Sequence, residues 1–375
     1  MSKTLRALWA AIAMVFAVAL VPDAPASARQ AQAAQQAAEE PWPSAEKLAE
    51  RRSDAERLRL FRSDVPLEIT LRADFRAVQR DRNPASTKTF PATIEFTSEA
   101  GEPVSMPLRI RTRGHSRRSS STCTFAPLRL EFEKKLTKGS VFDEHGAMKL
   151  GTHCRGGAEE MILREYAVYR MFNLLTPRSY RARLARVTYV DSERERQVAS
   201  EYGLLIEDVD DVAKRLEGRE ITVQQVIFAR VEQDALNLMT LFEYMIGNTD
   251  FSIFSQHNVR LVQTPAGLRY PVPYDFDYSG LVDAPYAVPA RTLGIGSVRD
   301  RLFRGPCRTP EEWAPYFDKL LDAKADLLAL YDTLPGLNDR YRRDAKSYLE
   351  QFYRTIGSPA LIKREIIDKC EKIGM

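Results

Sequence analysis

Apolar and polar residues alternate along the first half of the chain. Pro66-Leu-Glu-Ile-Thr-Leu-Arg and Ala92-Thr-Ile-Glu-Phe-Thr change character at every residue, the period of a half-buried strand. Met106 to Arg113 continues the pattern, with Leu108 and Ile110 on one face and Arg109, Arg111 and Arg113 on the other. Phe125 to Phe132 predicts another strand. Arg183 to Val190 and Ala199 to Val209 predict a hairpin turning at Asp191-Ser-Glu-Arg-Glu. Helical spacing is strong from Glu159 to Leu175, where Ile162, Tyr166, Tyr169 and Phe172 share a side and Pro177 closes the run. Ser44 to Arg62 is charged and helix-prone, with Leu48, Leu58 and Leu60 as its few apolar positions. Beyond residue 209 helices dominate: a short one over Thr222 to Arg230, a clearer one over Glu232 to Ile246, then Glu311 to Leu334, Asp339 to Phe352 and Ala360 to Ile373. Strands first and helices afterwards predict an α+β fold, β-rich over residues 63–209 and mainly helical over 210–375.

Composition supports a real core. The 375 residues are 44% hydrophobic and 28% charged, the balance of a globular protein. The first 28 residues are expected to be a cleaved secretory signal: Lys3 and Arg6, an apolar run from Leu8 to Val21, then Ala26-Ser27-Ala28. Residues 29–45, rich in Ala, Gln, Glu and Pro, read as a tether, which with the charged helix fills residues 29–62. No later stretch is long and apolar enough to span a bilayer. Without residues 1–28 the chain keeps 53 basic and 50 acidic residues, +3, a balance that argues neither for nor against nucleic acid, and no nucleic-acid partner is expected. Four cysteines, Cys123, Cys154, Cys307 and Cys370, suit disulfides in an exported protein; pairing of neighbours, Cys123–Cys154 and Cys307–Cys370, is expected among three connectivities. With no CxxC and four histidines, a zinc site is not expected, and no HExxH, GxSxG or Walker-type glycine loop occurs.

The chemistry concentrates between Tyr244 and Leu281. Gly247 ends a helix and passes into Asn248-Thr249-Asp250. Asn258 follows, then a hairpin around Thr264-Pro265-Ala266-Gly267, then Tyr274-Asp275-Phe276-Asp277 and Gly280. Asp275 and Asp277 are two apart, so on extended backbone both point to one side, where they repel unless a cation or proton joins them. One carboxylate to orient or deprotonate a hydroxyl, and an Asn with a second carboxylate to hold Mg²⁺, is the set that phosphoryl transfer requires. Upstream, Arg113-Gly114-His115-Ser116 opens a basic, Ser-rich loop that suits phosphates.

This arrangement resembles the CotH spore-coat kinase family and, more distantly, the HipA kinases, over roughly Pro66 to Gly280. The resemblance implies a two-lobed atypical protein-kinase-like fold that transfers phosphoryl from ATP, with Mg²⁺ or Mn²⁺, to a protein Ser or Thr hydroxyl. It implies Asp250 as the catalytic residue, and Asn258, Asp275 and Asp277 at the metal. Arg113, Ser116, Arg129 and Lys149 become phosphate contacts, Glu165 the partner of the phosphate-binding cation, and Glu207 a marker of the hinge beside adenine. Two departures stand out. The lysines that usually follow the turn are missing from Thr124-Phe125-Ala126-Pro127-Leu128-Arg129, which leaves Arg129 or Lys149 for the phosphates. Seven residues, where four are usual, separate Asp250 from Asn258. His257 is expected to serve structure. A kinase-fold scaffold without catalysis, an exported protein binding calcium or carbohydrate through Asp275 and Asp277, and nucleotidyl transfer stay open as alternatives.

Overall fold

Seven of the strands close on one another. In a computed structural model, which describes residues 41–156 and 158–372, they are β1 (Leu67–Ala73), β2 (Phe90–Thr97), β3 (Pro103–Thr112), β4 (Leu128–Glu131), β5 (Ala147–Gly151), β6 (Ala182–Asp191) and β7 (Arg196–Ile206). They form a barrel in the order β1-β2-β3-β4-β5-β7-β6. Neighbours are antiparallel except at the seam, where β1 runs parallel to β6 from Leu67 opposite Ala185 to Ala73 opposite Asp191. The alternating strands turn one face inward: Ile69, Leu71, Ile94, Ile110, Leu130, Met148, Leu150, Val187 and Leu205 fill the interior.

A second apolar core joins the helices α2 (Glu160–Leu175) and α4 (Gln233–Ile246) to the C-terminal helices α5 (Pro310–Asp322), α6 (Lys324–Thr333) and α7 (Asp339–Ile356). A three-stranded sheet, ordered β10 (Arg269–Pro273), β9 (Val259–Gln263), β8 (Arg219–Ile221), packs into the same core. N-terminal to the barrel, α1 (Ala45–Glu56) is capped by Ser44 and buries Leu48 and Ala55. The helix α3 (Val209–Arg215) follows β7 directly, capped by Asp208. The fold is thus mixed α+β, and the chain from Pro41 onward gathers as one compact unit. Among the described residues no helix is long and apolar enough to cross a membrane. The signal segment expected at 1–28 and the tether up to residue 40 lie outside the described residues.

Both disulfides pair neighbours, Cys123–Cys154 and Cys307–Cys370. The first staples the loop after β3 to the segment after β5. The second draws the chain end into a bridge between Pro306 and Glu371. Over the described residues, up to 372, the helix expected from Ala360 is one short turn, Pro359–Ile362, running into a π-helical turn, Lys363–Ile367, and it ends before that bridge. Thr222 to Arg230 is likewise not a helix, because Gln225 takes a φ of 56° and only Phe228–Arg230 coils, as a 3₁₀ turn.

Candidate functional site

Helix α4 carries the first acidic centre. Glu232 caps its start by accepting from the N–H groups of Asp234 and Ala235, and Gly247 ends it in the left-handed region at φ 69°. A side chain there would strike the Tyr348 hydroxyl, so the glycine meets both a torsional and a steric need. The loop beyond is held from several sides. The Asn248 N–H donates to Glu243 O (2.8 Å), and its Oδ1 accepts from the Asp250 N–H (3.0 Å). Arg304 donates to the carbonyls of Thr249 and Phe251 (2.7 and 2.8 Å), clasping Asp250 from both neighbours.

Asp250 and Asn258 meet despite the long spacing between them. The Asn258 amide donates to the main-chain carbonyl of Asp250 (2.8 Å) and to its Oδ2 (3.1 Å). Two short backbone bonds between Ser252 and His257 close the intervening turn, and Gln256 and Asn258 both take positive φ. The three additional residues are therefore spent in a tight bulge. His257 Nε2 lies 3.1 Å from Asp250 Oδ1. That hydrogen bond raises the pKa of the imidazole, and the charge of Asp250 adds to the effect.

The second acidic centre does not lie on extended backbone. Asp275 is left-handed at φ 65°, and Phe276–Tyr278 is a 3₁₀ turn. The backbone therefore breaks the period of two, yet both carboxylates reach the same cation, the guanidinium of Arg117. Its Nη2 is 2.5 Å from Asp275 Oδ1, its Nε 3.5 Å from Asp277 Oδ2, and its Nη1 3.9 Å from Glu165 Oε2. The Tyr169 hydroxyl accepts from the Asp275 N–H (2.9 Å), and the Tyr286 hydroxyl donates to Asp277 Oδ2 (2.8 Å). Burial disfavours the Asp275 anion, but Arg117, Arg113 and Lys149 outweigh burial and hold its pKa low. Asp277 and Glu165 behave oppositely: burial lifts them to about 6 and about 8. Among the described residues no three His, Cys, Asp or Glu side chains stand close enough together to hold a metal ion.

A basic strip lies beside Asp275. Lys149, on β5, pairs in register with Arg129 on β4. Its ammonium sits 4.7 Å from the ring centre of Tyr274 and 5.5 Å from that of Tyr180. Burial, with Arg113 adding to it, brings its pKa down to about 8, against the attraction of Asp208 and Asp275. Arg113 is half-buried and also feels Asp275. Arg129 lies farther along, 4.0 Å from Asp208. Ser116 stands against the Tyr278 phenol.

Because Lys149 has a depressed pKa, its charge works against folding where folded and unfolded states are both protonated, below about pH 8. Between about pH 8 and the unfolded value of 10.5 only the unfolded chain holds the proton, so stability rises with pH on this account. Lys149→Met should therefore be more stable than the parent at pH 7, by about 1 kcal/mol after allowing for partial exposure. The gap should close towards pH 10.5, as read from paired urea titrations.

Two expected residues take other partners. Glu165 faces Arg117, not Lys149. The Glu207 carboxylate is fully buried and committed: Arg215 donates to both its oxygens (2.8 Å each) and the Arg181 N–H donates to one (2.8 Å). It anchors the turn into α3 and has no free oxygen to offer a base. Arg117 is the residue that sequence patterning overlooks, since a Gly-His-Ser-Arg-Arg-Ser run reads as exposed.

Asp250 opens onto a small pocket of about 30 Å³, lined by Thr249, Tyr278, Val288, Pro289 and Leu293. A roomier cleft of about 400 Å³, between α1 and Lys134, Asp143 and Glu144, shares no residue with this site.

No family model matches the chain, and no curated protein matches its sequence. Among solved structures the chain is distantly similar to the crystal structure of the Helicobacter pylori proinflammatory kinase CtkA. The two share 11% identity with a TM-score of 0.32, over 65% of this chain and 88% of that one.

Proposed function

We propose that this protein is an exported, CotH-like phosphotransferase, moving phosphoryl from ATP to a protein Ser or Thr hydroxyl. The observation that carries the reading is the convergence of Asp250, Asn258 and His257 in one braced loop, electrostatically within reach of Asp275 and Asp277. The basic strip of Arg113 and Lys149 beside Asp275 supports it. In this reading Asp250 accepts the proton of the substrate hydroxyl as its oxygen bonds to the γ-phosphorus. The bond from that phosphorus to the bridging oxygen breaks, and ADP departs. Asn258 fixes the carboxylate in place, and Lys149 and Arg113 meet the phosphate charge.

Asp275 and Asp277 are oxygen donors that already converge on one cationic group, which suits Mg²⁺ or Mn²⁺, with the Asn258 side-chain oxygen as a further candidate donor. Such an ion would supply positive charge to the transferring phosphate. Two disulfides suit an oxidising compartment and support export to the periplasm or beyond.

One observation favours a second reading. Arg117 already fills the acidic pair, as it would in a scaffold that keeps the fold and not the reaction. Intact-mass spectrometry separates the two. The protein is incubated with ATP, Mn²⁺ and a Ser-rich acceptor. Added mass of one phosphoryl group supports transfer, and a nucleotidyl group redirects the reading to AMP transfer. No added mass, with no nucleotide-induced rise in melting temperature, leaves the scaffold.

A further inference from the structure

Arg117 is 5% exposed and faces three carboxylates with one positive charge. Only its contact with Asp275 lies within hydrogen-bonding distance. Its Nη1 and both Glu165 oxygens are buried without a hydrogen-bond partner. Buried polar groups are nearly always satisfied, so this cluster holds unused ligand capacity beside an under-neutralised pair of aspartates.

The segment bearing Arg117 divides into a fixed and a free part. Arg118 is anchored to the barrel side through the carbonyls of Asn83, Ser86 and Thr112. Arg82 donates to the carbonyls of Arg118, Cys123 and Thr124, and Arg155 to those of Ser121 and Thr122. The Cys123–Cys154 disulfide fixes the far end. Arg117 turns the other way, from the 3₁₀ turn Ser116–Arg118, three residues after Gly114, whose φ is +87° and whose added Cβ would meet only the Cβ of Arg117 itself, at 3.9 Å. None of those anchoring bonds runs through the Arg117 side chain, so its contact with the acids can break with the rest of the loop in place.

We propose that Arg117 is a displaceable internal counter-ion: it and a divalent cation compete for Asp275 and Asp277, so that metal enters this site only as the guanidinium leaves. The metal's use in catalysis rests on the phosphotransferase reading, but the exchange itself is measurable without nucleotide. The probe is Mn²⁺ alone, followed by the loss of its free-ion EPR signal, on the purified protein and on R117M, R117K, R113M and R117M/D275N. R117M should bind Mn²⁺ about 100-fold more tightly than the parent, because an unpaired buried acidic pair then gains a cation. R117K, whose ammonium cannot span both aspartates, should fall between them, and it carries the test if R117M does not fold. R117M/D275N should lose the added affinity.

Equal Mn²⁺ affinity in the parent and both Arg117 variants overturns the exchange. So does an equal gain in R113M, which would mean that any lost positive charge suffices, or a gain that survives D275N. Phosphoryl transfer by the parent without any Mn²⁺ gain in the Arg117 variants would sink the exchange and leave the kinase reading standing. A gain without transfer would do the reverse.

Discussion

On the proposed reading, Asp250→Asn should slow phosphoryl transfer by about 1000-fold, within the span of 10² to 10⁴ that a positioned general base contributes. The substitution keeps size and shape. Asn258 can still donate to the Asp250 carbonyl and to an amide oxygen at the old Oδ2 position, and Arg304 still grips the carbonyls on either side. The loop should therefore persist. Melting temperature should move little, and the rise produced by nucleotide should match the parent's, because Lys149 and Arg113 are untouched. A loss confined to kcat, with KM for ATP unchanged, is the signature expected. If the variant transfers phosphoryl at the parental rate, Asp250 is not the base; if nucleotide no longer raises the melting temperature, it serves binding.

The largest effect on stability is expected far from the reaction, at Arg215→Met. Glu207 has no exposed surface, and Arg215 is its bidentate partner at 2.8 Å on both oxygens. The same guanidinium donates to the carbonyls of Pro177 (2.9 Å) and Ser179 (2.6 Å), tying the end of α2 to the turn before α3. Removing it strands a buried carboxylate, and breaking such pairs costs about 3–5 kcal/mol. Urea unfolding should show a loss of that size. Arg215→Met with Glu207→Gln should recover more than half of it, because the orphaned charge is gone and only hydrogen bonds are lost. Equal destabilisation in the single and double variants would mean that the carbonyl contacts, not the ion pair, hold this corner.

Much of the barrel is legible in the sequence because its strands are half-buried and their alternation survives. Closure is not. Nothing in Leu67–Ala73 or Ala182–Asp191 indicates that the two lie side by side in parallel, since pairing depends on which edges the intervening strands leave open. Ala147–Gly151 is too short, and too interrupted by Lys149, to announce a strand, yet it bridges β4 and β7. At the site, types and spacing bring forward Asp250, Asn258, Asp275 and Asp277; the fold pairs Asp250 with Asn258 and turns Asp275 and Asp277 onto Arg117. Their partners are less visible. A buried arginine looks like a solvated one in sequence, so Arg117 at the acids and Arg215 on Glu207 emerge only from the packing. The extended geometry expected of Asp275 fails because one left-handed residue resets the direction of the chain.

The closed barrel has a consequence for recognition. A sheet with a free edge can take in a peptide as one more strand, with main-chain bonds supplying affinity. Here ring closure removes the edge only where the strands overlap: residues 103–108 of β3 and 196–203 of β7 are paired on one side alone. In the smaller sheet, one outer strand, Arg219–Ile221, is three residues long, and the other, Arg269–Pro273, carries Pro271 and Pro273, which have no N–H to give. On the proposed phosphotransferase reading, an acceptor chain would find little backbone to zip against in this smaller sheet. On that reading selection should fall to side chains around Asp250, with Tyr278, Val288 and Pro289 lining the pocket there, so preference among acceptors should follow the residues flanking the hydroxyl more than the length of extended peptide presented.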